Sequence, residues 1–196
     1  IHELGLVLGH RLAGHADVRF RLIPMPRSGP VSRDPHLTDL EHFFVMLMGP
    51  GLGLAPMVLA FALSDLFAGH PLQHLFGTLA LTLGAFNFIA LLPIWPLSGG
   101  TLVQLMMRPG FPRVSALPAA SLFAGMIGMS WATDTPGLFL ISVIGALAYA
   151  IRPPIPKERP PMPGRALMTA IPAYLTTLSA FFLGGWWVLL VVTGQF

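Results

Sequence analysis

Three long stretches without a charged residue constrain this chain more than any other feature of its sequence. They cover residues 43–64, 75–107 and 166–196, and they contain 22, 33 and 31 residues. A helix of about 20 apolar residues is long enough to cross the hydrocarbon core of a bilayer. Because each stretch reaches that length, we predict a polytopic membrane protein.

The amino-acid composition leads to the same class. Hydrophobic residues make up 54% of the chain and charged residues 10%, whereas soluble proteins have about 25% charged residues. The chain has no cysteine, which excludes disulfides, thiolate metal sites and a cysteine nucleophile. The first apolar stretch, residues 1–14, is too short to span a membrane, so we expect the first helix to be truncated at its N-terminus.

Charges and prolines divide the chain into six hydrophobic segments, and we expect an all-α membrane bundle of about six membrane segments. The segments are A (to about residue 14), B (42–64), C (75–107), D (117–133), E (136–151) and F (166–193). Segments D and E are short, and we predict that they form a hairpin that turns at Asp134.

Segment C is too long for one simple span and is interrupted near its end by Pro93, Pro96, Gly99 and Gly100. Irregular backbone at membrane depth is stable only where protein or a water-filled cavity satisfies its polar groups. The interruption is therefore a candidate functional site.

The positive charges all fall on one side of the membrane if the loops alternate between its two sides. The loops on the other side carry Asp65, Asp134, His70 and His74. Since Lys and Arg concentrate in cytoplasmic loops, we expect a multi-pass protein of the bacterial inner membrane with cytoplasmic basic loops. The excess of positive charge is explained by the orientation of the loops in the membrane, so we expect no nucleic-acid partner. The cations are Arg11, Arg19, Arg21, Arg27, Arg33, Arg108, Arg113, Arg152, Lys157, Arg159 and Arg165.

Two loop segments have patterns of their own. Residues 18–23 alternate apolar and basic side chains, which predicts a short strand at the membrane surface. Residues 152–165 contain six prolines and predict an extended cytoplasmic linker, with docking of a proline-recognising domain as the alternative.

Segment A places His2 and Glu3 in apolar surroundings, where ionisable groups mark function. Zinc hydrolases of the HExxH type carry two His at positions i and i+4, with the Glu as general base. Here position i+4 is Leu6, whose alkyl side chain cannot bind zinc. His10 lies about 12 Å from His2 along a helix, so we expect it at the membrane interface beside Arg11, with a metal role as the open alternative.

The sequence LLPIWPLSGG at residues 91–100 is a second candidate motif. Together with HELG at residues 2–5, it resembles the site-2 protease family of intramembrane zinc metalloproteases, which pairs an HELGH helix with a later NLLPIPPLDGG motif. Residues 48–53 also resemble the stretch that opens the next core helix of that family. The resemblance implies a site-2-protease-like membrane core over residues 1–107. We expect a membrane hairpin over 108–151, the linker over 152–165 and a C-terminal transmembrane helix over 166–196.

The resemblance implies His2 as a zinc ligand and Glu3 as the catalytic base, but the other two ligand positions hold Leu6 and Ser98. Trp95 departs from the family motif, while Pro93, Pro96, Gly99 and Gly100 match it. Further departures fall at Ala90 and Gly53. One imidazole cannot hold catalytic zinc against water, so we expect His2 and Glu3 to be vestigial and no cofactor to bind.

We therefore expect a pseudoenzyme that serves as scaffold or accessory subunit in a complex with other membrane proteins. The alternative is an intramembrane metalloprotease with a non-standard zinc site that cleaves a membrane-spanning substrate. A small-solute transporter has less support. In the pseudoenzyme, Leu6 fills the space of the second ligand, Ser98 forms a local hydrogen bond and Trp95 covers the mouth of the site. Asn87 and Gln104 are expected to form hydrogen bonds between helices.

Overall fold

The computed structural model describes residues 1–15, 38–94, 97–110, 116–151 and 160–192. Within these ranges the chain forms eight helices and no strand, so the all-α prediction is confirmed. The strand predicted at 18–23 lies outside the described residues, as do residues 152–159 of the linker. The helices are α1 (His2–Leu12), α2 (Asp39–Gly51), α3 (Leu54–Leu66), α4 (Pro71–Leu91), α5 (Ser98–Met107), α6 (Leu117–Thr133), α7 (Pro136–Ala150) and α8 (Gly164–Val192).

Three helical stretches are long and apolar enough to cross a membrane. They are Asp39–Leu66, which joins α2 and α3, Pro71–Leu91, which is α4, and Gly164–Trp187 in α8. Part of α7, Pro136–Leu147, is also apolar but shorter. The fold is thus compatible with a membrane protein that has three long spans, and the larger number of six segments stays a prediction.

Segment B begins earlier than predicted and consists of two helices. The Thr38 hydroxyl accepts a hydrogen bond from the Glu41 amide, and the Glu41 carboxylate accepts one from the Thr38 amide. This reciprocal cap starts α2 at Asp39. The helix ends after Pro50, whose ring is poorly accommodated inside a helix, and α3 begins beyond Gly53.

Segments D and E follow their predicted boundaries closely, whereas segment C begins at Pro71, four residues earlier than predicted. Segment C breaks between Leu91 and Ser98, where its prolines lie, while Trp95 and Pro96 are outside the described residues. Segment D is the single helix α6 with the predicted ends. Asp134 ends it with a left-handed φ of 51°, and the Ser130 hydroxyl donates to the Thr135 carbonyl at 2.7 Å. The predicted turn between D and E is confirmed.

One end of the bundle is fixed by a buried ion pair. Asp39 at the start of α2 has no exposed surface, and both of its carboxylate oxygens accept hydrogen bonds from the Arg108 guanidinium at the end of α5, at 2.8 and 2.9 Å. The Asp39 amide also donates to the Pro160 carbonyl, four residues before α8. We call this the basal end, where α2 starts, α5 stops and α8 starts.

Three residue counts, along α2, α5 and α8, give similar distances from the start or end of each helix. Gly49 is ten residues beyond Asp39, Ser98 ten residues before Arg108, and Tyr174 ten residues into α8. At 1.5 Å per residue each distance is about 15 Å. The largest hydrophobic core of the bundle includes Phe43, Leu91, Leu102, Leu105 and Phe181. The break in segment C therefore lies about 15 Å above the basal end along α5.

Candidate functional site

The first half of the candidate site is a close contact between α1 and α2. A Cβ atom built on Gly5 would overlap the carbonyl group of Met48, and one built on Gly9 would lie 2.9 Å from the Cα of Val45. Glycine at both positions lets the two backbones approach each other directly. The two contacts also show that α1 runs antiparallel to α2.

His2 and Leu6 lie side by side against Gly49 on α2. A Cβ on Gly49 would be 2.8 Å from His2 Cε1 and 3.0 Å from Leu6 Cδ2. Leu6 is only 5% exposed. The i and i+4 spacing therefore puts both side chains on one helix face, as expected, and the alkyl side chain of Leu6 occupies the space beside the imidazole.

The second half of the site is the break between α4 and α5. Gly99 packs so closely against the Leu91 and Leu92 carbonyls that a Cβ atom would overlap them. The turn that allows this contact is closed by hydrogen bonds from the Ile94 amide to the Leu92 carbonyl at 2.7 Å and from the Leu97 amide to the Ile94 carbonyl at 2.8 Å. Only glycine fits at this contact.

Ser98 is the first residue of α5 and is buried together with Gly99 and Gly100. Its hydroxyl forms no hydrogen bond within the described residues, so the predicted local hydrogen bond is wrong. The preceding residue Leu97 takes the N-cap position, and a side chain at N1 is not in the position from which an N-cap side chain bonds the helix amides. Pro93 lies half-buried in the turn.

Tyr174 on α8 forms a hydrogen bond to the end of α4 at the break. Its hydroxyl donates a buried hydrogen bond of 2.6 Å to the Leu91 carbonyl, one of the carbonyls that a helix end leaves without an intrahelical partner. The sequence interpretation missed this residue. The available signal was a tyrosine inside an apolar helix, because a buried tyrosine hydroxyl usually has a hydrogen-bond partner.

The two halves of the motif lie at a common depth along α2. His2 contacts Gly49, which is about 15 Å above the basal end, and Ser98 is about as far above Arg108 on α5. Both α1 and α5 run antiparallel to α2 and pack on it. The fold therefore places the two motifs, which are far apart in sequence, at the same level of the bundle.

Within α1 and α5, three buried polar atoms have no hydrogen-bond partner in the described parts of the chain: His2 Nδ1, His10 Nδ1 and Gln104 Nε2. His10 is 6% exposed, so the side of α1 that carries it is covered. The expectation that His10 lies at the membrane interface beside Arg11 stays a prediction. Asn87 differs from the prediction. Its amide donates to the Leu83 carbonyl of its own helix at 2.8 Å and packs against Gly53.

The donor set does not fit zinc. The positions that would supply three ligands hold the imidazole of His2, the alkyl side chain of Leu6 and the hydroxyl of Ser98, and only the first is a zinc ligand of ordinary strength. In the part of the chain that the structure describes, no three His, Asp or Glu side chains lie close enough to hold a metal ion. The expectation that the protein binds no zinc stays a prediction. Among known proteins, no family model, curated protein or solved structure matches the chain.

Proposed function

We propose that the chain is a non-catalytic, site-2-protease-like membrane protein that acts as scaffold or accessory subunit of a membrane protein complex. The observation that carries this proposal is the position of Leu6. It packs beside His2 against Gly49, where the resemblance calls for a second imidazole. A zinc-bound water cannot be activated by Glu3 without a set of ligands that holds the metal.

The arrangement around the site supports a retained framework with altered chemistry. The glycines at positions 5, 49 and 99 allow the close backbone contacts of α1 with α2 and of α5 with the end of α4. Two of the differences from the family motifs, Leu6 and Ser98, fall at ligand positions, and the others are Trp95, Ala90 and Gly53. A loss of chemistry with the packing retained is the pattern expected of a pseudoenzyme.

We infer a multi-pass protein of a bacterial inner membrane whose basal end faces the cytoplasm. Arg11 near the end of α1, Arg108 and Arg165 lie toward this end, and the ion pair of Asp39 with Arg108 connects α2 and α5 there. The far end carries the exposed groups Asp65, His70 and His74. This distribution agrees with the rule that cations concentrate on the cytoplasmic side.

Other membrane proteins are the partners that a scaffold of this kind would hold. Only 17% of the most apolar window of α8 is buried within the chain. The outward surface of this helix carries Met168, Leu175, Leu183 and Trp186. Lipid covers such a surface in a free subunit, and neighbouring helices cover part of it in a complex.

The full chain, extracted with its native lipids, tests the proposal in two measurements. We expect other membrane proteins to co-purify in fixed ratio, and we expect no cleavage of a single-span reporter incubated with the preparation and zinc. Cleavage that is lost in both His2→Ala and Glu3→Gln, and kept in the exposed control His74→Ala, would establish the metalloprotease alternative instead.

A further inference from the structure

The hairpin of α6 and α7 carries a single charge. Asp134 is the only charged residue between Arg113 and Arg152, and it lies exposed in the turn. Its carboxylate forms no hydrogen bond or ion pair within the described residues. The left-handed backbone of the turn does not require this charge, because Asn and Gly adopt the same conformation. Nor does the carboxylate cap α7, which has no side-chain cap hydrogen bond.

The turn borders an open cavity of about 500 Å³. Asp134 lines this cavity from the turn and Trp131 from the last turn of α6, while Ile127 and Phe139 supply apolar surface from the two helices. The Trp131 ring is 91% exposed and stacks on no other aromatic ring within the described residues. One carboxylate and one free indole therefore border the same space.

We propose that this cavity binds an alkylammonium group, supplied by the head group of an aminolipid or by a free amine. A positive charge is attracted both by a carboxylate and by the face of an indole ring. Alkyl groups on the nitrogen gain apolar contact from Ile127 and Phe139. A metal ion has no such alkyl groups, and a neutral lipid chain gains nothing from Asp134. This binding site goes beyond the proposed function and does not depend on it.

Anchoring at the membrane surface accounts for an exposed indole but not for a carboxylate in the same cavity. Tryptophans at the two membrane interfaces are common anchors of helices, and Trp186 on α8 is also exposed. Beyond Arg165, however, the chain has no charged residue, so Trp186 has no carboxylate near it in its own helix. Trp186 is therefore the matched control for Trp131.

The test uses the full chain in a neutral maltoside detergent and compares two small probes. One is choline, and the other is its uncharged carbon analogue, in which a tert-butyl group replaces the trimethylammonium group. Saturation-transfer NMR on the methyl protons of each probe measures its binding. We expect choline to bind about tenfold more tightly, as the sum of an exposed cation–π contact and an exposed ion pair.

Two substitutions separate the contributions of the carboxylate and the indole. Asp134→Asn keeps the left-handed turn and should weaken choline binding about threefold, and Trp131→Leu should weaken it by a similar factor. The controls Asp65→Asn, which neutralises another exposed carboxylate, and Trp186→Leu should leave choline binding unchanged. Because Trp131 and Asp134 are both exposed, neither substitution removes buried packing, and thermal unfolding verifies that each variant is folded.

Two kinds of lipid nanodisc identify the source of the ammonium group. Phosphatidylethanolamine carries one in its head group, whereas a neutral galactolipid carries none. Weaker binding of free choline in the phosphatidylethanolamine discs assigns the site to the head group, and equal binding in both discs assigns it to a free amine.

Equal binding of choline and its uncharged analogue in detergent would overturn the inference. Choline binding that both Asp134→Asn and Trp131→Leu leave unchanged would overturn it as well, because the probe would then bind elsewhere. Neither result bears on whether the chain cleaves a substrate, so the proposed function is tested separately.

Discussion

The helices around the break and the hairpin of α6 and α7 are both apolar but pack differently. Around the break, Gly5, Gly9 and Gly99 allow backbone contact between helices. The hairpin packs mainly on itself, with Phe123 against Gly145 and Tyr149, and it exposes Trp131 at 91%. Since apolar side chains are as stable in lipid as in protein, close approach and hydrogen bonds determine which helices have fixed neighbours.

The largest expected effect is at Gly99. Gly99→Ala places a Cβ atom against the Leu91 and Leu92 carbonyls, so α5 must move away from α4, at a cost of about 3 kcal/mol or more. The matched control is Gly128→Ala on α6, where a Cβ meets no atom within 4 Å. Unfolding of both variants in bicelles measures the difference. Equal stability of the two would show that the break is as loosely packed as the hairpin.

The ion pair at the basal end gives the next largest effect. Arg108→Gln leaves the fully buried Asp39 carboxylate without its guanidinium, and breaking such a pair costs about 3 kcal/mol, less where one partner reaches solvent. The hairpin control is Asp134→Asn, because Asn tolerates the left-handed backbone of this exposed residue. Thermal unfolding in detergent should separate the two variants by several degrees. A loss in Asp134→Asn as large as in Arg108→Gln would contradict the role of the buried pair.

Tyr174→Phe should have a smaller effect, about 1–2 kcal/mol, because it removes one hydrogen bond from the buried Leu91 carbonyl. Thr177→Val on the same helix is the control, since its hydroxyl bonds only the Ala173 carbonyl one turn earlier. Hydrogen exchange of the amides of Ile94 and Leu97 provides a local readout. Faster exchange in Tyr174→Phe alone is the expected result, and unchanged exchange there would mean that α8 does not hold the break.

The smallest effect is expected in the hairpin itself. Trp131→Ala removes an aromatic ring that is 91% exposed, so we expect a change below about 0.5 kcal/mol in the free energy of unfolding. The same bicelle titration measures it. A loss of several kcal/mol would mean that the ring is buried against a neighbour and that the hairpin does not pack mainly on itself.

Local features of the sequence predicted the parts of the fold that depend on nearby residues. Prolines and glycines marked the break in segment C, and Asp134 followed by Thr135 and Pro136 marked the hairpin turn. The early start of α2 was also readable from Thr38 and Glu41, which form a capping box. Pro50, near the end of α2, was the sequence signal for the division of segment B into two helices, but segment B was predicted as one.

Contacts between distant residues could not be predicted in the same way. Asp39 and Arg108 are 69 residues apart, and Tyr174 and Leu91 are 83 apart, so no local pattern connects them. Asn87 was assigned to a contact between helices, but the carbonyl one turn earlier in its own helix was in reach of its amide. The level shared by His2 and Ser98 also needed the fold, because it depends on how α1 and α5 pack on α2.

The zinc content of the purified full chain tests the central claim most directly. Because Leu6 and Ser98 replace two of the three ligands that the resemblance implies, we predict far less than one zinc ion per chain after exposure to zinc and removal of free metal. His2→Ala and the exposed control His74→Ala should give the same low value. Close to one zinc ion per chain in the unmodified protein and in His74→Ala, with loss in His2→Ala, would contradict the account and establish a metal site at His2.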